Sequence, residues 1–117
     1  MLQTIITKVF GTKSDRDTKA LIPIVDEINM INKTLRSKSD DDLIKRTGEF
    51  KLEVASAREV AQKYAKEKIS DNEEADQYVL NAEHKKLDEI LPETFAMVKE
   101  ACRRTMGKSW RIMGQEI

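Results

Sequence analysis

Residues 43–64, LIKRTGEFKLEVASAREVAQKY, place Leu43, Thr47, Phe50, Val54, Ala57, Ala61 and Tyr64 at alternating steps of four and three. An apolar period of 3.5 residues held over about three heptads predicts a helix with one seam facing an antiparallel or coiled-coil partner. Small residues at 57 and 61 let that partner come close, and the surrounding lysines and glutamates form a solvated face. Just upstream, SKSDDDLIKR carries Ser39 and, three residues on, Asp42, a capping-box-like start with acids at the positive end of the helix. Downstream, ISDNEEADQY pairs Ser70 with Glu73 in the same way, so the chain turns near Ser70 and returns as an antiparallel helix. Ala75, Val79, Ala82 and Leu87 supply its apolar face. These features predict an all-α fold: a helical bundle built on a long antiparallel helical hairpin.

Working outward, Ser14 caps an earlier helix with Asp15 and Asp17 in its first turn, and Leu21, Ile24, Ile28, Ile31 and Leu35 form its stripe. Pro23 lies beyond the first turn, so it bends that helix or moves its regular start to about Leu21. Toward the other end, Pro92 suits the first turn of a last helix whose Phe95, Val98, Cys102 and Met106 face inward. The opening MLQTIITKVF gathers Leu2, Ile5, Ile6, Val9 and Phe10 on one helical face opposite Gln3, Thr4, Thr7 and Lys8, and Gly11 stops it. Such a helix either docks as an arm on the core or lies in a membrane interface, where Lys8 and Lys13 would meet anionic headgroups.

Composition narrows the function. The 117 residues hold 21 basic and 21 acidic side chains, a balance that gives no electrostatic case for nucleic acid. Charged residues make up 36% and apolar ones 39%, which suits long helices with one buried stripe each and a thin core. The longest apolar run, LIPIV, is far too short to cross a bilayer or to serve as the core of a signal peptide, which predicts a soluble, unexported protein. The single cysteine excludes an internal disulfide, and Cys102 is expected to pack as a small apolar residue in a reducing cytoplasm. His84 and Asp88, at i and i+4, read as an exposed ion pair, because no second pair accompanies them to complete a metal site.

Thr105 to Ser109, Thr-Met-Gly-Lys-Ser, ends like a phosphate-binding P-loop, yet the pattern needs a glycine where this chain has Cys102. A P-loop also leaves a strand and opens a helix, whereas residues 93–106 have helical apolar spacing. Gly107 is therefore read as a helix C-cap with Lys108 near the C-terminal dipole. No set of acid, base and nucleophile can be assembled, so no catalytic, cofactor-binding or metal-binding residue is assigned.

Three stretches, read in order, resemble the extreme N-terminus of the SecA family, the ATP-driven motors of bacterial protein export. TKVFGTKSDRD, Thr7 to Asp17, is similar to the family's opening amphipathic stretch, its Phe-Gly and an Asp-Arg helix start. SDDDLIKRTGEFK resembles Leu-Ser-Asp-Glu-Glu-Leu followed by Lys-Thr and Phe, with Ser39, Asp40, Leu43, Thr47 and Phe50 matching. ILPETFAMVKEACRRTMG resembles Leu-Leu-Pro-Glu-Ala-Phe-Ala-Val-Val-Arg-Glu-Ala and a later Gly, with Leu91, Pro92, Glu93, Phe95, Ala96, Val98, Glu100, Ala101 and Gly107 in place.

The resemblance implies a division into an amphipathic N-terminal helix, 1–13, and a helical segment, 14–117, that precedes a motor domain lying beyond Ile117. Residues 52–86 depart from the family's pattern, which has a short link there, and read as an inserted helical hairpin. The parent would use ATP and Mg, with the true P-loop past Ile117 and no cofactor in this segment. Its partners would be the Sec translocation channel, an anionic membrane surface and preproteins, and its place the cytoplasm, peripheral on the inner membrane. Leu2, Ile5, Ile6, Lys8, Val9, Phe10 and Lys13 are the membrane-contact candidates. The rival reading is a self-contained helical adaptor whose 43–64 seam pairs with another protein or with its own copy as a homodimer.

Overall fold

The Ser39 hydroxyl accepts a hydrogen bond from the Asp42 amide, and the Asp42 carboxylate accepts one from the Ser39 amide, both at 3.1 Å. This reciprocal cap starts the hairpin's first helix. The computed structural model describes residues 2–116, and the side chains of Thr7 and Phe10 lie outside the described set. Four helices, α1 (Leu2–Phe10), α2 (Lys13–Leu35), α3 (Asp40–Lys68) and α4 (Asn72–Thr105), are followed by two short strands, β1 (Arg111–Ile112) and β2 (Gln115–Glu116).

α3 and α4 are the antiparallel hairpin. Tyr64 stacks on Tyr78 near the turn, with ring centroids 5.0 Å apart, and Arg46 meets Glu93 toward the far end. Phe50, Ala61 and Ala65 are buried along α3, with Leu43, Val54 and Ala57 half-buried; Thr47, expected in the seam, is exposed, and at the distal end the seam shifts from Tyr64 to Ala65. A straight helix of 3.6 residues per turn drifts away from a 3.5-residue period, which moves Tyr64 to the edge where its ring stacks. On α4, Ala75, Val79 and Ala82 are half-buried as expected, while Leu87 is exposed.

Several helix boundaries differ from the sequence reading. The cap of α4 is Asp71, which accepts from the Glu74 amide at 2.8 Å, one residue after the expected Ser70 and Glu73 pairing. Carboxylate and hydroxyl cap about equally well, so adjacent Ser and Asp compete and the local sequence does not separate them. Likewise α2 is capped by Thr12, boxed with Asp15, and not by Ser14. Pro23 neither breaks nor delays α2, which begins at Lys13 and runs through it. Pro92 does not open a new helix either: α4 continues unbroken through it, and Leu91 and Pro92 are half-buried. Packing on both sides of that turn outweighs the one hydrogen bond a proline removes.

The second error follows from the first. Phe95, Val98, Cys102 and Met106, expected to face inward, are exposed, Phe95 by 56% and Met106 by 78%. Ala96, Met97 and Glu100 are buried instead. The small Ala96 lets α2 cross closely, and Asn32 Nδ2 donates to the Ala96 carbonyl at 3.1 Å. Ile28, Ile31 and Leu35 of α2 join Leu43, Phe50, Ile90, Ala96 and Met97 in the core. All α2 residues from Lys13 to Glu27, including Leu21 and Ile24, are exposed, because only the C-terminal part of α2 meets α4.

The core is thin and the shape open: the radius of gyration is 20.8 Å, against about 13 Å for a compact domain of this length. The strands were not anticipated. Arg111 pairs with Glu116 and Ile112 with Gln115 across Met113 (φ 50°) and Gly114 (φ 81°), the two left-handed residues of a type I′ hairpin turn.

The hairpin makes a direct prediction. Val54→Asp places a carboxylate in the half-buried seam and is expected to lower stability by at least about 2 kcal/mol. Lys63→Asp removes only an exposed 3.3 Å pair with Glu59 and should change little. Urea denaturation of the two variants separates these outcomes; equal, small losses would mean that the helices do not pack.

Candidate functional site

α1 carries Leu2, Ile5, Ile6 and Val9 within one helical face, and all four are exposed, Leu2 by 77% and Val9 by 69%. Lys8 and Lys13 are exposed as well, and α1 makes no substantial contact with the other helices among the described residues. Phe10 ends the helix, and its side chain is outside the described set. Gly11 breaks the helix at φ 72°, where a side chain would crowd the Asp15 Cβ at 3.2 Å, and the Thr12 cap then starts α2. The candidates Leu2, Ile5, Ile6, Lys8 and Val9 therefore lie exposed on α1, and Lys13, also exposed, opens α2 just beyond it.

A second apolar stripe runs along the last turns of α4. Phe95, Val98, Cys102 and Met106 recur at three and four residues and face solvent as one line. Leu21, Ile22 and Val25 of α2 are exposed as well.

Two charged clusters link the helices. Glu100, 0% exposed, accepts hydrogen bonds from Arg103 Nη2 at 2.7 Å and from Arg104 Nε at 3.0 Å. Arg104 continues outward: its Nη1 donates to Asp40 at 2.6 Å, and its Nη2 to the carbonyls of Leu35 and Lys38. One guanidinium thus satisfies carbonyls at the end of α2 and binds the first residue of α3, fastening that corner to α4. The hydrogen bonds from Arg103, then those from Arg104, outweigh the burial and hold the Glu100 carboxyl down to about 2.

The other cluster centres on Arg46. It binds Glu93 through Nε and Nη2 at 2.8 and 2.9 Å, reaches Glu49 and Glu53 through Nη1, and lies over the Phe50 ring at 4.5 Å. Its hydrogen bonds to these carboxylates, Glu93 first, raise the Arg46 pKa further. Glu93, Glu100 and Phe50 are residues on which the sequence resemblance rests, and the structure gives each a structural partner. Arg46, Arg103 and Arg104 were not singled out from sequence; the i, i+3 and i+4 spacing of Glu100 with two arginines was the available signal.

At Thr105 to Ser109 the chain makes a turn. Met106 (φ −61°, ψ 134°) and Gly107 (φ 82°) occupy the central positions of a type II turn closed by Lys108 N donating to Thr105 O at 3.2 Å. Gly107 thus follows a helix end, as read, and what comes after it is a β-hairpin and not the start of a helix. His84 and Asp88, both exposed, are not among the ion pairs of the described residues; Lys86 and Glu89 pair instead at 2.6 Å. No group of three or more potential metal ligands occurs among the described residues, and no described helix is long and apolar enough to cross a membrane.

The described residues thus form a helical segment with an exposed amphipathic arm and exposed apolar stripes, fastened internally by arginine–carboxylate pairs. The comparison with known families is specific: the chain belongs to the family of the SecA DEAD-like domain, whose profile matches residues 6–113. It is similar to the protein translocase subunit SecA of Prosthecochloris aestuarii, 38% identical over 130 residues covering 97% of this chain and 13% of that protein. The SecA subunits of Elusimicrobium minutum and Acidobacterium capsulatum are 36% and 35% identical, covering 92% and 91% of this chain and 9% of each relative. The chain thus spans about a tenth of the length of such relatives. No solved structure matches it.

Proposed function

We propose that this chain is the N-terminal helical part of an ATP-driven translocase that moves preproteins through the Sec channel, working in the cytoplasm and peripherally on the inner membrane. The family match over residues 6–113 carries this reading. In it, the stripe of Phe95, Val98, Cys102 and Met106 packs on the motor domain, and residues 1–13 touch the anionic membrane or the channel. ATP and Mg bind in the motor and not in this segment, and 52–86 is an insertion on the family's shorter link. Depleting the protein from its cells tests the reading: precursors with uncleaved signal peptides should accumulate in the cytoplasm. Unchanged export after depletion would overturn it.

Two measurements on the 117-residue chain follow. Titration calorimetry with Mg-ATP is expected to show no binding, because Gly107 to Ser109 form a turn between a helix and a hairpin, with no strand-to-helix cradle for phosphate. Micromolar binding that disappears in Lys108→Ala would contradict this.

The chain should also co-sediment weakly with anionic liposomes at low salt. Four exposed apolar residues and two lysines, each lysine contributing on the order of 1 kcal/mol near an anionic surface, give marginal, salt-sensitive binding. Removing residues 1–13 should abolish it, and equal pelleting with and without them would refute the membrane role of α1.

A further inference from the structure

The two sides of the α3–α4 hairpin differ in chemistry. One side carries a groove of about 620 Å³ lined by Glu53, Lys86 and Glu89, and each of these charges already has a partner within the chain: Glu53 binds Arg46, and Lys86 binds Glu89. The other side carries a groove of about 520 Å³. Phe50, Val54 and Ile90 form its apolar floor, and Leu87, 44% exposed, stands on its α4 lip. From Thr47 to Arg58 on α3 this second groove runs for about three helical turns.

Its charges are free to meet a ligand. Lys51 and Arg58 are exposed on the α3 lip, two turns apart, and make no ion pair among the described residues. The α4 lip offers a single carboxylate, Glu83, among the described lining residues, so the groove has a basic edge along α3. An apolar trough between two helices takes a third helix along its length, ridges into grooves. The lips set the chemistry of that helix. It needs an apolar stripe at three- and four-residue steps to cover Phe50 and Val54, and acidic residues two turns apart on the flank that meets Lys51 and Arg58. α1 of this chain, LQTIITKVF, has Lys8 and no acidic residue, so the charges do not select it.

We propose that this side of the hairpin docks an amphipathic helix of a partner protein whose acidic residues stand two turns apart beside its apolar stripe. The inference rests on residues 47–94 and is independent of the export reading.

Fluorescence anisotropy tests it with a labelled synthetic helical peptide that has leucines at three- and four-residue steps and glutamates two turns apart on one flank. A control peptide has lysines in place of the glutamates. The expected result with the 117-residue chain is saturable binding of the glutamate peptide, at least about tenfold tighter than the control and weakened by added salt. Lys51→Glu combined with Arg58→Glu, both on the exposed lip, should reverse the preference between the peptides with an unchanged melting curve. Leu87→Lys should abolish binding of the glutamate peptide, whereas Val60→Lys, on the opposite groove, should leave it intact. Absence of saturable binding at low salt, or equal binding of both peptides by the wild-type and charge-reversed chains, would overturn the proposal. Binding that survives Leu87→Lys and is lost in Val60→Lys would also overturn it, placing the contact on the other groove.

Discussion

Phe50→Ala is expected to cost about 3 to 5 kcal/mol, close to the whole stability of a domain with so thin a core. Phe50 is the only aromatic side chain among the described buried residues, and it packs where all three long helices meet, with Leu35 of α2 and Ala96 and Met97 of α4. Its ring also supports the Arg46 guanidinium at 4.5 Å, so truncation removes the surface beneath the pair with Glu93. Circular dichroism in a urea series measures this: the midpoint should fall steeply, or the variant should be unfolded without denaturant. A shift no larger than that of Lys63→Asp would mean that the core is elsewhere.

Glu100→Gln should lower the melting temperature by several degrees at neutral pH and flatten the acid limb of the stability curve. The folded-state pKa of Glu100 is depressed from the ordinary carboxylate value of 4.5 to about 2. Its stabilising contribution is therefore fully present above the unfolded value and lost as pH falls from about 4.5 to about 2. Asp15 and Asp42, depressed by their caps, and Glu89, depressed by Lys86, weaken the fold in acid as well, so the informative quantity is the difference between wild type and variant. That difference should be largest above the ordinary carboxylate value and vanish toward pH 2. A constant difference across the range would show that the charge of Glu100 does not hold the corner.

The hairpin could be read from the chain because its evidence is periodic and local: apolar steps of four and three from Leu43 to Ala61, and a reciprocal cap at Ser39 and Asp42. Which neighbouring polar residue caps a helix, Thr12 or Ser14, Asp71 or Ser70, is decided by small differences that local sequence does not resolve. The orientation of α4 after Pro92 was legible only in part. Phe95, Val98, Cys102 and Met106 form a stripe as regular as any in the chain, and a regular stripe says that something covers it without saying what. Among the described residues α2 covers the adjacent face, through Ala96 and Met97, because a small residue there permits close approach. The Arg104 bridge to Leu35, Lys38 and Asp40 spans more than 60 residues of sequence and is visible only once the corner is folded. The 111–116 hairpin was missed because its strands have two residues each and its turn signal is Met113-Gly114 and not Asn-Gly. The apolar face of α1 was legible in the sequence, and its described members Leu2, Ile5, Ile6 and Val9 are exposed.

The most direct test of the proposed role is preprotein translocation into inverted inner-membrane vesicles by the full-length translocase of which this segment is proposed to be the N-terminal part. The expected result is ATP-dependent protection of the preprotein from added protease, strongly reduced when residues 1–13 are removed and unaffected by Lys108→Ala. Absence of any ATP-dependent protection with the intact protein would contradict the account.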